Sequence, residues 1–155
     1  MDLKTLYRQV IMDNYKNPKN KGLTHDDKYQ FIHLNNPSCG DDMNVELLIE
    51  DGIIKDVRHD GHGCSICCSS ASVMSETLKG KTVDEAKEII IDFYELVQGV
   101  EPKNEEALGE AIAYQGVSDF PARIKCATLS WKAAEAVING GGAKWKKIEK
   151  MSQIL

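Results

Sequence analysis

At 155 residues, with 42% hydrophobic and 28% charged side chains, the chain has the size and make-up of one folded domain, which excludes a disordered chain and a disulfide-stapled miniprotein. A net charge of -5 argues against a nucleic-acid partner, and the basic run from Lys144 to Lys147 is too short to reverse that balance. The amino-terminal stretch MDLKTLYRQVIMDNYKN is interrupted by charges, so it has neither the apolar stretch of a secretion signal nor a membrane span, and a cytoplasmic protein without a membrane partner is expected.

Asp2 is placed to cap a first helix, in which Leu3, Leu6, Tyr7, Val10 and Ile11 recur at helical spacing and which Pro18 ends. Residues 15–22, YKNPKNKG, read as a polar loop. Three strands are expected next, at 29–34, 44–49 and 53–57, the last two joined by Asp51-Gly52, a pair that suits the positive φ of a tight hairpin turn. After Cys64 the pattern turns helical: Ala71, Met74, Ser75 and Leu78 share a face, Met74 is a core candidate, and Gly80 stops the run. Thr82 and Glu85 form a capping box ahead of Val83, Ala86, Ile89, Ile90, Phe93 and Leu96. A shorter helix is expected from Glu105 to Tyr114, and Pro121 opens a last one, with Trp131 in the core, that runs to Asn139 before Gly140-Gly-Gly142. The fold class is therefore α+β: a two-layer domain over residues 1–140, with a small three-stranded antiparallel sheet against about five helices, followed by a charged tail at 141–155.

Five cysteines in a reducing compartment point away from disulfides and towards metal or thiol chemistry. Cys39 lies in a loop between two strands, where Gly40 lets the chain reverse and bring Asp41 beside the thiol. Cys64 leaves the third strand after Gly61 and Gly63 and enters a helix, and Cys126 falls in the early turns of the last helix. Thiols near helix amino termini are expected to have a lowered pKa, and the thiolate is the form that binds metal or attacks sulfur. Three thiolates and one carboxylate would make a closed tetrahedral zinc site. The separations of 25 and 62 residues do not by themselves say that the groups meet, and free cysteines are often plain buried side chains.

The segments NNPSCGD at 35–41, GHGCSI at 61–66 with SSAS at 69–72, and FPARIKCATLSW at 120–131 resemble, in this order, the three signature regions of the IscU/SufU family of iron–sulfur cluster assembly proteins. The amino-terminal LYRQVIMDNYKNPKNKG resembles the opening of the SufU branch, and the likeness spans residues 3–139. The classical scaffold branch has a histidine before its third cysteine and a Leu-Pro-Pro-Val-Lys segment; this chain has Lys125 and Phe-Pro-Ala-Arg-Ile-Lys there, together with extra chain between Gln98 and Val117. The resemblance implies that Cys39, Asp41, Cys64 and Cys126 bind zinc. It also implies that Cys39 accepts sulfur from a SufS-type cysteine desulfurase and that other Suf cluster-assembly proteins are further partners. A persulfide offers an electrophilic outer sulfur to such a thiolate. The alternative is a scaffold that builds a transient [2Fe-2S] cluster, or holds iron, on Cys39, Cys64 and Cys126 with Asp41 as an oxygen ligand. A third reading is an adaptor whose zinc only holds the fold.

Other residues compete for attention. Cys67 and Cys68 depart from the family pattern, and three readings stay open: packing at the helix start, a redox pair of Cys64 with Cys67, and alternative metal ligation. His62 is a candidate to line the site; His59 is expected to diverge from it along the strand, and His25 and His33 have no supporting context. Arg123 and Lys125 flank Cys126 and would stabilise a thiolate, contact the desulfurase or form a solvated helix face. Asp41 reads as a ligand or as a turn-forming residue. Ser69 to Ser72 lack a nucleophile elbow and suit close helix packing.

Overall fold

A computed structural model describes residues 2–144. Along the chain come α1 (Leu3–Lys16), β1 (Gln30–Asn36), β2 (Asp41–Glu50), β3 (Ile53–His62), α2 (Ser65–Leu78), α3 (Val83–Leu96), the single turn α4 (Glu105–Leu108), a 3₁₀ segment (Gly109–Asp119), α5 (Pro121–Ile138) and β4 (Ala143–Lys144). The arrangement is α+β, with a correction to the expected three strands: the antiparallel sheet has four, in the order β3-β2-β1-β4. The fourth is two residues long and pairs Ala143 with Phe31 and Lys144 with Gln30. Glycines make this pairing reachable, since a Cβ at Gly142 would press on the Gln30 and Val137 side chains at 3.2 Å each. The expected charged tail at 141–155 thus begins in the sheet, and its residues 145–155 lie outside those described.

Local signals act as expected. Asp2 Oδ1 accepts from the Thr5 amide at 2.8 Å, and the Thr82 and Glu85 side chains cap α3 reciprocally. Asp51 and Gly52 both take positive φ, 54° and 74°, as the β2–β3 hairpin turn requires. The helix expected over 105–114 is instead one α turn continued in 3₁₀ form, starting at Gly109 with φ 53°.

On β2, Asp41, Met43, Val45 and Leu47 point to the buried face under α5, while α2 packs on the adjoining β3. A register shift at Leu48/Ile49 changes the phase of β3, so that Ile54 and Val57, three apart, are both buried. Above this sheet Trp131 stacks on Phe93, with ring centroids 4.0 Å apart, and Tyr114 meets Phe93 edge-on. The serines of α2 do more than permit close packing. Trp131 Nε1 donates to Ser70 Oγ and Ser70 donates to the Ala127 carbonyl, tying α2 to α5; Tyr114 donates to Ser69, and Ser72 donates to Asn14 of α1. Each hydroxyl satisfies a buried polar neighbour that would otherwise cost about 1–3 kcal/mol. The result is a rigid α2–α5 pair standing over one end of the sheet.

Candidate metal centre

The site forms at the end of the sheet where β1 turns into β2 and β3 runs into α2. At the hairpin tip the amides of Cys39 and Gly40 both donate to the Asn36 carbonyl, at 3.2 and 3.0 Å, and Gly40 takes φ 72°. This reversal leaves Cys39 exposed and brings the next residue, Asp41, into phase with the core face of β2. Asp41 is therefore 1% exposed. It fits there because Gly63 passes so close that a Cβ on it would collide with Asp41 Oδ1.

Cys64 caps α2. Its amide donates to Asp41 Oδ1 at 3.0 Å, and its sulfur accepts from the Cys67 amide at 3.5 Å. Cys126, fully buried in the second turn of α5, has its sulfur 3.5 Å from that of Cys39. The ligand atoms of Cys39, Asp41 and Cys126 all lie within 4.8 Å of one another. Cys64 stands beside this trio rather than within it.

The donor set fits zinc. Two thiolates on one tetrahedral zinc, each about 2.3 Å from it, stand roughly 3.8 Å apart, close to the 3.5 Å between Cys39 and Cys126. Asp41 Oδ2 is buried with no hydrogen-bond partner, and a cation held at that place would satisfy it. The expected lowering of thiol pKa is reversed at Cys126. Burial pushes it up first, and the nearby Asp41 carboxylate and the thiols of Cys39 and Cys64 add to the effect. The helix amino terminus is outweighed because several acidic groups converge in a buried place. Soft sulfur and hard oxygen donors together suit zinc or iron.

The auxiliary candidates separate. Arg123 is exposed and near enough to the Cys126 sulfur for that interaction to raise the guanidinium pKa. Lys125 is exposed one residue away from Cys126 on α5. His62 is exposed and outside the trio, whereas His59 is buried on the same strand; both border a 230 Å³ cavity, together with Lys21 and Cys68. His59 is buried and donates from Nε2 to the Lys19 carbonyl at 2.7 Å. Cys67 is fully buried, and burial, with Asp41 next in weight, raises its pKa, which agrees with packing; Cys68 is half-buried and its thiol lies 3.7 Å from the Gly63 carbonyl. All five cysteines are free. Gly63 and the serine set of α2 were missed as supports of the site, although four serines within seven residues of an otherwise apolar helix are a legible signal.

The profile of the NifU-like N-terminal domain family matches residues 6–127, a span that holds Cys39, Asp41, Cys64 and Cys126. This chain belongs to that family. It is 48% identical over 134 residues to the zinc-dependent sulfurtransferase SufU of Bacillus subtilis (strain 168), covering 86% of this chain and 90% of the relative. It is 38% identical over 136 residues to the iron–sulfur cluster assembly scaffold protein IscU of Streptococcus pyogenes serotype M1, covering 88% and 84%. Among solved structures it resembles a candidate scaffold protein for the SUF system of Fervidobacterium islandicum AW-1, with a TM-score of 0.71, 34% identity, and coverage of 86% and 97%. The resemblance read from the three motifs is borne out, and its SufU branch has the higher identity of the two curated relatives. Among the described residues no helix is long and apolar enough to cross a membrane.

Proposed function

We propose that this protein is a zinc-dependent sulfurtransferase that accepts persulfide sulfur from a SufS-type cysteine desulfurase and relays it towards iron–sulfur cluster assembly in the cytoplasm. The observation that carries the reading is Cys39. It belongs to the buried donor group through its 3.5 Å contact with Cys126, yet it alone of that group is exposed to a partner. Cys39, Asp41, Cys64 and Cys126 would hold the zinc, with Cys64 completing the trio. When bound, zinc supplies the charge that keeps buried thiols ionised and, having no redox chemistry, leaves them unoxidised.

The transfer balances without an added oxidant. The Cys39 thiolate attacks the outer sulfur of the donor persulfide, the donor S–S bond breaks, and the donor leaves as a thiolate while Cys39 becomes the persulfide. Asp41 and Gly63 hold the hairpin end in place, and Arg123 sets a positive charge beside the sulfurs.

The test is intact-mass analysis of the zinc-loaded chain after incubation with a cysteine desulfurase and free cysteine. One added sulfur is expected, absent from Cys39→Ala, together with desulfurase stimulation that the variant loses. Iron and sulfide in equal amounts with little zinc, in protein purified without oxygen, would instead establish the scaffold reading. Zinc loss that unfolds the chain, with no sulfur taken up by the loaded form, would leave only the adaptor.

A further inference from the structure

Cys64 and Cys67 stand in Cys-x-x-Cys spacing where β3 runs into α2, and sulfur transfer through Cys39 gives Cys67 no part. Cys64 keeps extended backbone, with φ -70° and ψ 168°, so its side chain folds back over the first turn of the helix. Its sulfur comes to 3.5 Å from the Cys67 amide nitrogen. The Cys67 sulfur is carried on that same residue, only a Cα and a Cβ beyond the nitrogen. Helix geometry sets residues three apart about 5 Å from each other at Cα, inside the roughly 4.4–6.8 Å that a disulfide spans.

The two thiols differ in access. Cys64 is partly exposed and Cys67 is fully buried. A reagent from solution therefore meets Cys64, and Cys67 reacts only with what Cys64 already carries. An accessible thiol backed by a second, resolving thiol is the arrangement that thiol–disulfide exchange uses. Cys68 is the competing partner along the helix, but its thiol lies 3.7 Å from the Gly63 carbonyl and borders the cavity of Lys21 and His62.

We propose that Cys64 and Cys67 form a dithiol–disulfide exchange site for low-molecular-weight disulfides, with Cys64 as the attacking thiol and Cys67 as the resolving one. The Cys64 sulfur attacks one sulfur of the reagent, the reagent's S–S bond breaks, and one half leaves as a thiolate. Cys67 gives its proton to solvent and attacks the Cys64 sulfur, which expels the second half as a thiolate and closes the Cys64–Cys67 bond. The two protein thiols are oxidised and the reagent is reduced to two thiols. One consequence rests on the reading of Cys64 as the ligand that completes the zinc site: the bridge withdraws that ligand, so oxidation loosens zinc and bound zinc slows oxidation.

The experiment incubates the full-length chain, zinc-loaded and after zinc removal by a chelator, with glutathione disulfide, then alkylates, digests with trypsin and weighs the peptides. Cys64, Cys67 and Cys68 share the tryptic peptide 59–79, whereas Cys39 and Cys126 fall in two others. The zinc-free chain is expected to lose two hydrogens within peptide 59–79. The bridge should persist in Cys68→Ser, where only Cys64 and Cys67 remain to make it, and vanish in Cys67→Ser. In Cys67→Ser, glutathione should stay on Cys64 about a hundredfold longer or more, because the intramolecular partner is gone. Zinc content and the thermal unfolding midpoint of reduced Cys67→Ser, matching those of the unmodified chain, report that it folds. Zinc should slow the bridge, and the bridged chain should bind zinc at least about tenfold more weakly until a dithiol reduces it. A bridge with zinc affinity unchanged would keep the exchange site and remove Cys64 from the zinc ligands. A bridge that survives Cys67→Ser, or one lost in Cys68→Ser, would overturn the proposal. So would a link between Cys39 and Cys126 with Cys64 and Cys67 left as thiols.

Discussion

Asp41 and Asp92 are both buried, at 1% and 6% exposure, but the chain treats their carboxylates differently. The two oxygens of Asp92 accept from the Lys103 and Asn104 amides, at 2.9 Å each, and so fix the loop that follows α3. Asp41 has one oxygen on the Cys64 amide, while the other is buried with no partner and faces a site where two sulfurs lie 3.5 Å apart. The first aspartate is finished by the backbone. The second is left incomplete, and incompleteness in a buried carboxylate is what marks a place built for a cation.

The isosteric pair Asp41→Asn and Asp92→Asn tests this difference most directly. Asp41→Asn keeps an acceptor for the Cys64 amide but removes the charge, so zinc affinity should fall by at least the upper end of the roughly 10–100-fold that disturbing a ligand's supporting partner costs, while the metal-free chain stays as stable as before or becomes more so. Zinc titration against a competing chelator and denaturant unfolding with and without zinc read the two effects. Asp92→Asn should do the reverse, costing about 2 kcal/mol of stability because one amide loses its acceptor, with zinc affinity unchanged. If both variants lose zinc equally, the contrast between the two aspartates fails.

Gly63→Ala sharpens the same comparison, because the new methyl has to displace Asp41. About tenfold weaker zinc binding is expected, comparable to disturbing a group that positions a ligand. Gly80→Ala serves as the control: it has nothing nearby to strike, although its φ of 86° makes it cost stability. Zinc affinity as high in Gly63→Ala as in the unmodified chain would show that Asp41 has freedom the geometry denies it.

A smaller effect comes from His59, which is buried with only the neighbouring Asp60 carboxylate as a weak counter-charge. Burial lowers its pKa from the ordinary 6.5 and outweighs the raising effect of its bond to the Lys19 carbonyl. The unfolded chain therefore binds the extra proton first, so this contribution to stability is complete above about pH 6.5 and is lost as pH falls below it. For the metal-free chain between pH 7 and 5.5, urea unfolding should show stability falling by at most about 1.4 kcal/mol per pH unit from this one group, and His59→Gln should flatten the profile. An unchanged profile in that variant would assign the pH dependence elsewhere.

Much of the fold is legible because its signals are local. The Asp2 cap, the Asp51-Gly52 turn, the Thr82–Glu85 capping box and Pro121 at the head of α5 each act within four residues of themselves. β4 escapes that reading because two residues carry no periodicity, and its pairing depends on where α5 ends and on glycines that let the chain press against Gln30. The 3₁₀ form of residues 109–119 escapes it too, since α and 3₁₀ helices share nearly the same apolar spacing. In the site, the candidate donors and their family likeness are visible along the chain. The convergence of Cys39 with Cys126 is not, since 87 residues separate them.

The amino-acid sequence by itself determined the α+β class, most element ends and the short list of donor residues, because those follow from propensity, periodicity and residue chemistry. Only the tertiary structure decided that Asp41 keeps an unpartnered buried oxygen, that Cys126 is driven towards its protonated form, and that Cys64 stands beside the trio. It also set the Cys64 sulfur against the amide of buried Cys67 at the head of α2. Burial, desolvation and sulfur-to-sulfur distance are properties of neighbours in space, and the order of residues along the chain does not contain them.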